Sequence, residues 1–222
     1  MLQVVALLQA LGSKSADARQ RAVLASGDQV PVPVEALVEA VLSETEPNVA
    51  GALRWALARS DDGAVALLAQ GLGSPTAAVR ERAVRALVDM PGADATARLR
   101  DGLAHPDAVV RGHAALALGT RGVADAVPTL IDMIVEGRND TDAADALGLL
   151  ASDAATADRI AAGLVDRAAD DTTRAPARGR LTQALADIPG PTASRALVEL
   201  SHDEDRAVAL TAVYLLQLRD AR

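Results

Sequence analysis

The 222-residue chain has no cysteine, no phenylalanine, one tryptophan, one tyrosine and a single lysine. Without thiols, disulfides, thiolate zinc sites and cysteine nucleophiles are all excluded. Half of the residues are hydrophobic yet aromatics make up 1%, and the apolar bulk is 50 alanines and 30 leucines. A core of those two types is helical, because alanine is the best helix former and is depleted from strands. No apolar run approaches the ~20 residues that span a bilayer. The opening MLQVVALLQALGSKS lacks a basic segment ahead of its apolar stretch and a small-residue cleavage pattern, so it reads as an amphipathic helix rather than a secretory leader. The cytoplasm is the expected compartment, with no membrane partner. Positive charge is also short, with 22 basic against 30 acidic residues, a net charge of −8 and a pI near 4.9. Nucleic-acid binding by counterion release would need a strongly local basic patch, and no nucleic-acid partner is expected. The 21 arginines beside one lysine fit GC-rich coding, as does the alanine excess.

What the chain does have is self-similarity. The stretch from Ser74 to Gly92 lies over the one from His105 to Gly119 at a shift of 31 residues, with Val79-Arg80 on Val110-Arg111 and Ala86-Leu87 on Ala117-Leu118. The same frame recovers Ala18-Arg19, Val49-Ala50, Ala177-Arg178 and Val208-Ala209, and Ala146-Leu147-Gly148 repeats Ala117-Leu118-Gly119. The spacing predicts one repeat domain over 1–222, with units at about 1–31, 32–62, 63–92, 93–122, 123–153, 154–190 and 191–222. The register inside 139–176 stays open, because the anchors near 139 and 177 lie 38 residues apart.

Each unit carries two apolar-periodic segments. In the third, Val65, Leu68 and Leu72 share a face, a Gly-Ser-Pro turn follows at 73–75, and Val79, Ala83, Ala86, Leu87 and Met90 mark the second buried face. Asp107 stands where a helix N-cap belongs. Pro-Gly at 91–92 and Pro-Gly-Pro at 189–191 punctuate the pairs, with Pro191 at a first helical position and Pro33 and Pro128 near other first-helix starts. Two helices cannot bury their own apolar faces, so neighbouring pairs stack. Alanine at the crossings permits close approach. The expected fold is all-α: an α-solenoid (αα-superhelix) of about seven two-helix repeats.

Asp, then Val-Arg, then Ala-Ala-x-Ala-Leu-Gly, clearest from Pro106 to Gly119, resembles HEAT repeats, especially the short bacterial type first described in phycobilin lyases. The resemblance extends over essentially the whole chain. It implies an interaction surface more than a chemistry, and it implies that the repeat arginine pairs with a loop aspartate. The second unit departs from that pattern, with Ala50 in place of the arginine.

Candidate chemistry is sparse. Some HEAT proteins, similar to deoxyhypusine hydroxylase, bind iron through His-Glu dipeptides, and none occurs here. His105 and His202 occupy equivalent loop slots too distant to share a metal and are expected to be solvated, so no metal site is expected. Ser201 to Asp205 lacks the spaced ligands of a calcium loop and reads as acids ahead of a helix N-terminus. There is no P-loop, no Gly-x-Ser-x-Gly elbow and no paired-carboxylate motif, and Gly71-Leu-Gly73 follows no strand. DNA glycosylases built from HEAT-like repeats look basic and aromatic, unlike this chain. No catalytic residue and no cofactor is assigned, and the chain is not expected to be an enzyme.

One stripe stands out. The second-helix slot of Arg85 is filled elsewhere by Leu24, Trp55, Leu116, Gln183 and Tyr214, with Asp145 in the open register; three residues earlier lie Arg21, Ala52, Arg82, His113, Arg180 and Thr211. Positions three apart share a helix face. Arg21, Trp55, Arg82, Arg85, His113, Arg180, Gln183 and Tyr214 therefore form a candidate partner-binding stripe, of the types enriched at binding hot spots. The competing reading is that Trp55 and Leu116 pad helix packing while the arginines are solvated. The expected function is a non-catalytic protein-interaction scaffold that binds an unidentified protein partner, with an acidic peptide or surface as one option, through the concave second-helix face. The alternative is a lyase-like accessory protein cradling a small molecule or chromophore while a partner is modified. A monomer is the default, with end-to-end dimerisation the other option.

Overall fold

The computed structural model describes residues 2–26, 34–60 and 63–221, so Pro33 lies outside the described residues. These residues form fourteen α-helices: α1 (Leu2–Leu11), α2 (Ala16–Ser26), α3 (Val34–Ser43), α4 (Pro47–Leu57), α5 (Gly63–Leu72), α6 (Ala77–Asp89), α7 (Gly92–Gly102), α8 (Ala108–Thr120), α9 (Val127–Glu136), α10 (Asp140–Leu150), α11 (Ala154–Ala169), α12 (Ala175–Ala184), α13 (Pro191–Leu200) and α14 (Arg206–Asp220). Short 3-10 turns at Ala124–Ala126 and Leu185–Asp187 complete the secondary structure, with no strand among the described residues. The fold is an all-α solenoid. It divides into two compact halves, Met1–His113 and Ala114–Arg222.

In the N-terminal half, first helices stack on first helices (α3 on α5, α5 on α7) and second on second (α2 on α4, α4 on α6). Leu37, Leu53, Leu57, Leu68, Leu87 and Leu99 are its largest fully buried side chains. The third helix pair buries Ala64, Val65, Leu68 and Gly71 from α5 and Ala83, Val84, Ala86 and Leu87 from α6. Leu72 and Val79, expected on those faces, are only half-buried; they sit at the last and first turns, beside the solvated connection. Alanine and glycine set the crossing distance: a Cβ on Gly71 would come within 2.9 Å of the Ala83 Cβ. Packing that close gains dispersion energy along the contact and leaves no room for a methyl group.

The C-terminal half repeats the scheme, with α9 on α11 and α11 on α13 in one layer and α10 on α12 and α12 on α14 in the other. Its core holds Leu118, Leu130, Ile134, Leu147, Ile160 and Leu164. A Cβ on Gly119 would lie 2.8 Å from that of Ala146, the same device as in the other half.

The segment 139–176, open at the level of sequence, is explained by one long helix. Gly137 and Asn139 adopt left-handed backbone angles (φ of 67° and 48°), which turns α9 tightly into α10. The extra length then goes into α11, with 16 residues where the other first helices have 10 or 11. Helix starts follow the expected chemistry. Asp107 accepts the Val109 N–H at 2.9 Å, Asp205 accepts those of Ala207 and Val208, and Pro191 opens α13, satisfying or removing first-turn donors.

Candidate interaction face

The fourth residue of several second helices is an arginine with two tasks. Arg19 donates to the Ser13 carbonyl in its own loop and forks onto Glu44 ahead of α4, at 2.8 and 2.9 Å. Arg80 holds the Ser74 and Pro75 carbonyls and reaches Asp107 at 2.7 Å. Arg178 holds the Thr173 carbonyl and forks onto Asp203 at 2.9 and 3.0 Å. Each acid belongs to the next repeat, so these pairs are rungs between helix pairs. The hydrogen bond from Arg19 holds the Glu44 carboxyl below its ordinary range, and that from Arg80 does the same for Asp107. In the second repeat the fourth residue is Ala50, so the rung implied there by the HEAT pattern is missing.

His105, expected to be solvated, is half-buried and braces its loop. Its Nδ1 accepts the Asp107 N–H at 3.0 Å. That leaves Nε2 as the protonated nitrogen, donating to the Leu72 carbonyl at 3.1 Å. His202 is exposed, with Nδ1 3.0 Å from the Val198 carbonyl. Asp203 is committed to Arg178 and Asp205 to its helix N-terminus, so the acidic run 201–205 is accounted for by folding. No group of three or more His, Asp or Glu residues with metal-binding geometry occurs among the described residues.

The stripe residues divide by environment. In the N-terminal half Trp55 is 44% exposed on α4, with the Arg59 guanidinium 5.0 Å from its ring centroid. This cation–π contact leaves the indole at the surface. Arg54, its neighbour, joins Asp89 of α6 at 2.7 Å. Arg85 is exposed, pairs with Glu81 at 2.8 Å, and its Nε lies 3.5 Å from Nε2 of His113 on α8. Burial, and secondarily the Arg85 guanidinium, push the pKa of His113 down, with Glu81 opposing. His113 is thus neutral at pH 7 and accepts from Arg85 through Nε2. Arg82 spends one N–H on the Leu42 carbonyl at the end of α3, at 3.0 Å. Arg21 is exposed and donates to the Asp17 carbonyl within its own helix. Trp55, Arg85 and His113 thus sit on successive second helices, with Arg54 and Asp89 tying α4 to α6.

In the C-terminal half Arg180 caps α9: Nε and Nη2 donate to the Ile134 and Val135 carbonyls, both at 2.7 Å. Gly137 leaves room for that guanidinium, whose Cζ would be 3.2 Å from a Cβ there. Gln183 is exposed. Tyr214 is 59% exposed on α14, whose surface also carries Leu210, Val213 and Leu218. Sequence reasoning did not find Arg54 and Asp89. Their separation of 35 residues is one 31-residue repeat plus one helical turn, a spacing that could have singled them out.

Residues 65–151 match the family model for HEAT repeats, so the chain contains HEAT repeats over that segment. No curated protein matches the sequence. Among solved structures, the karyopherin Kap121p bound to the extreme C-terminus of the protein phosphatase Cdc14p is 14% identical, with 96% of this chain aligned to 29% of that one at a TM-score of 0.60. Human deoxyhypusine hydroxylase in complex with glycerol is 21% identical over 100% of this chain and 97% of that one, at 0.45. The CpcE–CpcF complex of phycocyanin lyase from a Nostoc species is 22% identical over 96% and 92%, at 0.42. At these identities the likeness concerns the fold alone.

Proposed function

We propose that this HEAT-repeat solenoid is a non-catalytic scaffold that binds a protein partner through the exposed face of its second helices, and that the N-terminal half carries the main contact. The observation that supports this reading is the juxtaposition, on α4, α6 and α8, of an exposed tryptophan with arginines that reach across neighbouring helices and a histidine held neutral. Trp and Arg are the types that anchor interfaces, and a guanidinium cluster on an acidic protein favours a partner with local negative charge. The C-terminal half contributes Gln183 and Tyr214, while Arg180 holds the end of α9.

The test is affinity capture from the native host with the wild type beside Trp55→Ala/Arg85→Glu, after matching their circular dichroism. Arg82 is left intact because it caps α3. A partner recovered by the wild type and lost by the variant is the expected result. Equal recovery would move the binding surface off this face.

A further inference from the structure

The missing rung leaves a space. Between α4 and α6 lies a cleft of about 290 Å³, lined among others by Thr45, Ala50, Arg54, Glu81, Arg82 and Arg85. In the three rungs the acid stands at the N-cap, as Asp107 does, or two residues before it, as Glu44 and Asp203 do ahead of N-caps Glu46 and Asp205. Ahead of α6 those two slots hold Thr76 and Ser74. Both partners of the rung are therefore absent together.

Three guanidiniums line that space with capacity to spare. Arg54 uses Nε on Asp89, Arg82 uses Nη1 on the Leu42 carbonyl, and Arg85 uses Nη2 on Glu81 and Nε on His113. Both Nη groups of Arg54, Nε and Nη2 of Arg82 and Nη1 of Arg85 remain as donors. Glu44 is taken by Arg19 and by the Thr45 and Glu46 amides. Set against Glu81 and Asp89, the three arginines leave one unit of positive charge. One charge, fork-shaped donors and a volume below that of most drug-sized pockets match a single carboxylate rather than a phosphate dianion.

We propose that this cleft is the anchor for one Asp or Glu side chain of an acidic peptide segment in the partner. The proposal rests on the scaffold reading for its biological setting, but not for its chemistry. The carboxylate takes the place of the missing rung, and the peptide continues past Trp55.

The probe is an acetylated (Glu-Leu-Gly)4 peptide beside (Gln-Leu-Gly)4, titrated at low salt and read by Trp55 fluorescence and calorimetry. The wild type binds the Glu peptide about tenfold or more tighter than the Gln peptide. The double variant Ala50→Arg/Thr76→Asp rebuilds the rung, fills the cleft without changing net charge, and removes that preference at an unchanged or higher melting temperature. Arg54→Gln, which leaves the cleft open, weakens the Glu peptide by about tenfold and serves if the double variant misfolds. Equal binding of the two peptides by the wild type, or a preference surviving in both variants, overturns the proposal. So does tighter binding of a single-stranded oligothymidylate than of the Glu peptide. If the cleft variants lose the Glu peptide yet capture the native partner as well as the wild type does, the cleft's chemistry stands and its place in the scaffold reading falls. The converse pattern separates the two the other way.

Discussion

Arg82 and Arg85 of α6 and Arg180 of α12 come from the same kind of helix, yet the two halves use them differently. Arg85 in the N-terminal half is spread over Glu81 and His113 at the surface, and Arg82 gives up one donor to a carbonyl. Arg180 in the C-terminal half puts two donors on the carbonyls that end α9 and faces Asp140 at 3.8 Å. Equivalent positions thus share a capping role but differ in how many donors they spend on it. A guanidinium stays available to a partner through the donors that a helix end leaves unclaimed.

The sharpest way to break this symmetry of construction is at the crossings. Gly71→Leu in the N-terminal half and Gly119→Leu in the C-terminal half should each cost on the order of 3 kcal/mol, since a side chain must enter where even a Cβ is crowded. Urea denaturation followed at 222 nm measures this. Next in size, Arg180→Met should cost about 2 kcal/mol, because two helix-end carbonyls lose their donors. Arg85→Met, at the exposed slot three residues after the capping Arg82, should stay within about 0.5 kcal/mol of the wild type. If those last two effects were equal, the contrast between capping and exposed arginines would fail.

A finer difference lies in pH. The pKa of His113 is depressed in the folded chain, so below the ordinary histidine value near 6.5 the unfolded chain takes up a proton that the folded chain resists. The stability gained by keeping His113 neutral is whole above that value. It is lost progressively as pH falls towards the depressed pKa. His113→Gln should therefore show a shallower decline in melting temperature between pH 7 and 5 than the wild type. An identical slope would mean that burial and Arg85 do not act on this ring.

Much of this was legible in the sequence. The 31-residue shift exposed the helix pairs, the resemblance to HEAT repeats implied the rungs, and slot comparison put Trp55, Arg85 and Tyr214 at one position of the second helices without showing which of them are exposed. The length of α11 was not legible, because Ala154–Ala169 has no proline, and Gly163 within it reads locally as a break rather than a continuation. Nor were the capping roles of Arg82 and Arg180, whose acceptors lie 40 and 46 residues back on first helices of earlier pairs. Periodicity says which residues share a face. It does not say which far carbonyl that face meets.

The rungs also make the helix pairs non-interchangeable. Arg19 fits a pair whose loop presents Glu44, and Arg80 one whose loop presents Asp107. Excising α3 and α4 would set Arg19 against Ser74 and Thr76, while excising α5 and α6 would leave Asp107 facing Ala50. Either deletion strands one half of a keyed joint, so the order of the repeats is itself encoded, joint by joint, and shortening this array is not a neutral edit.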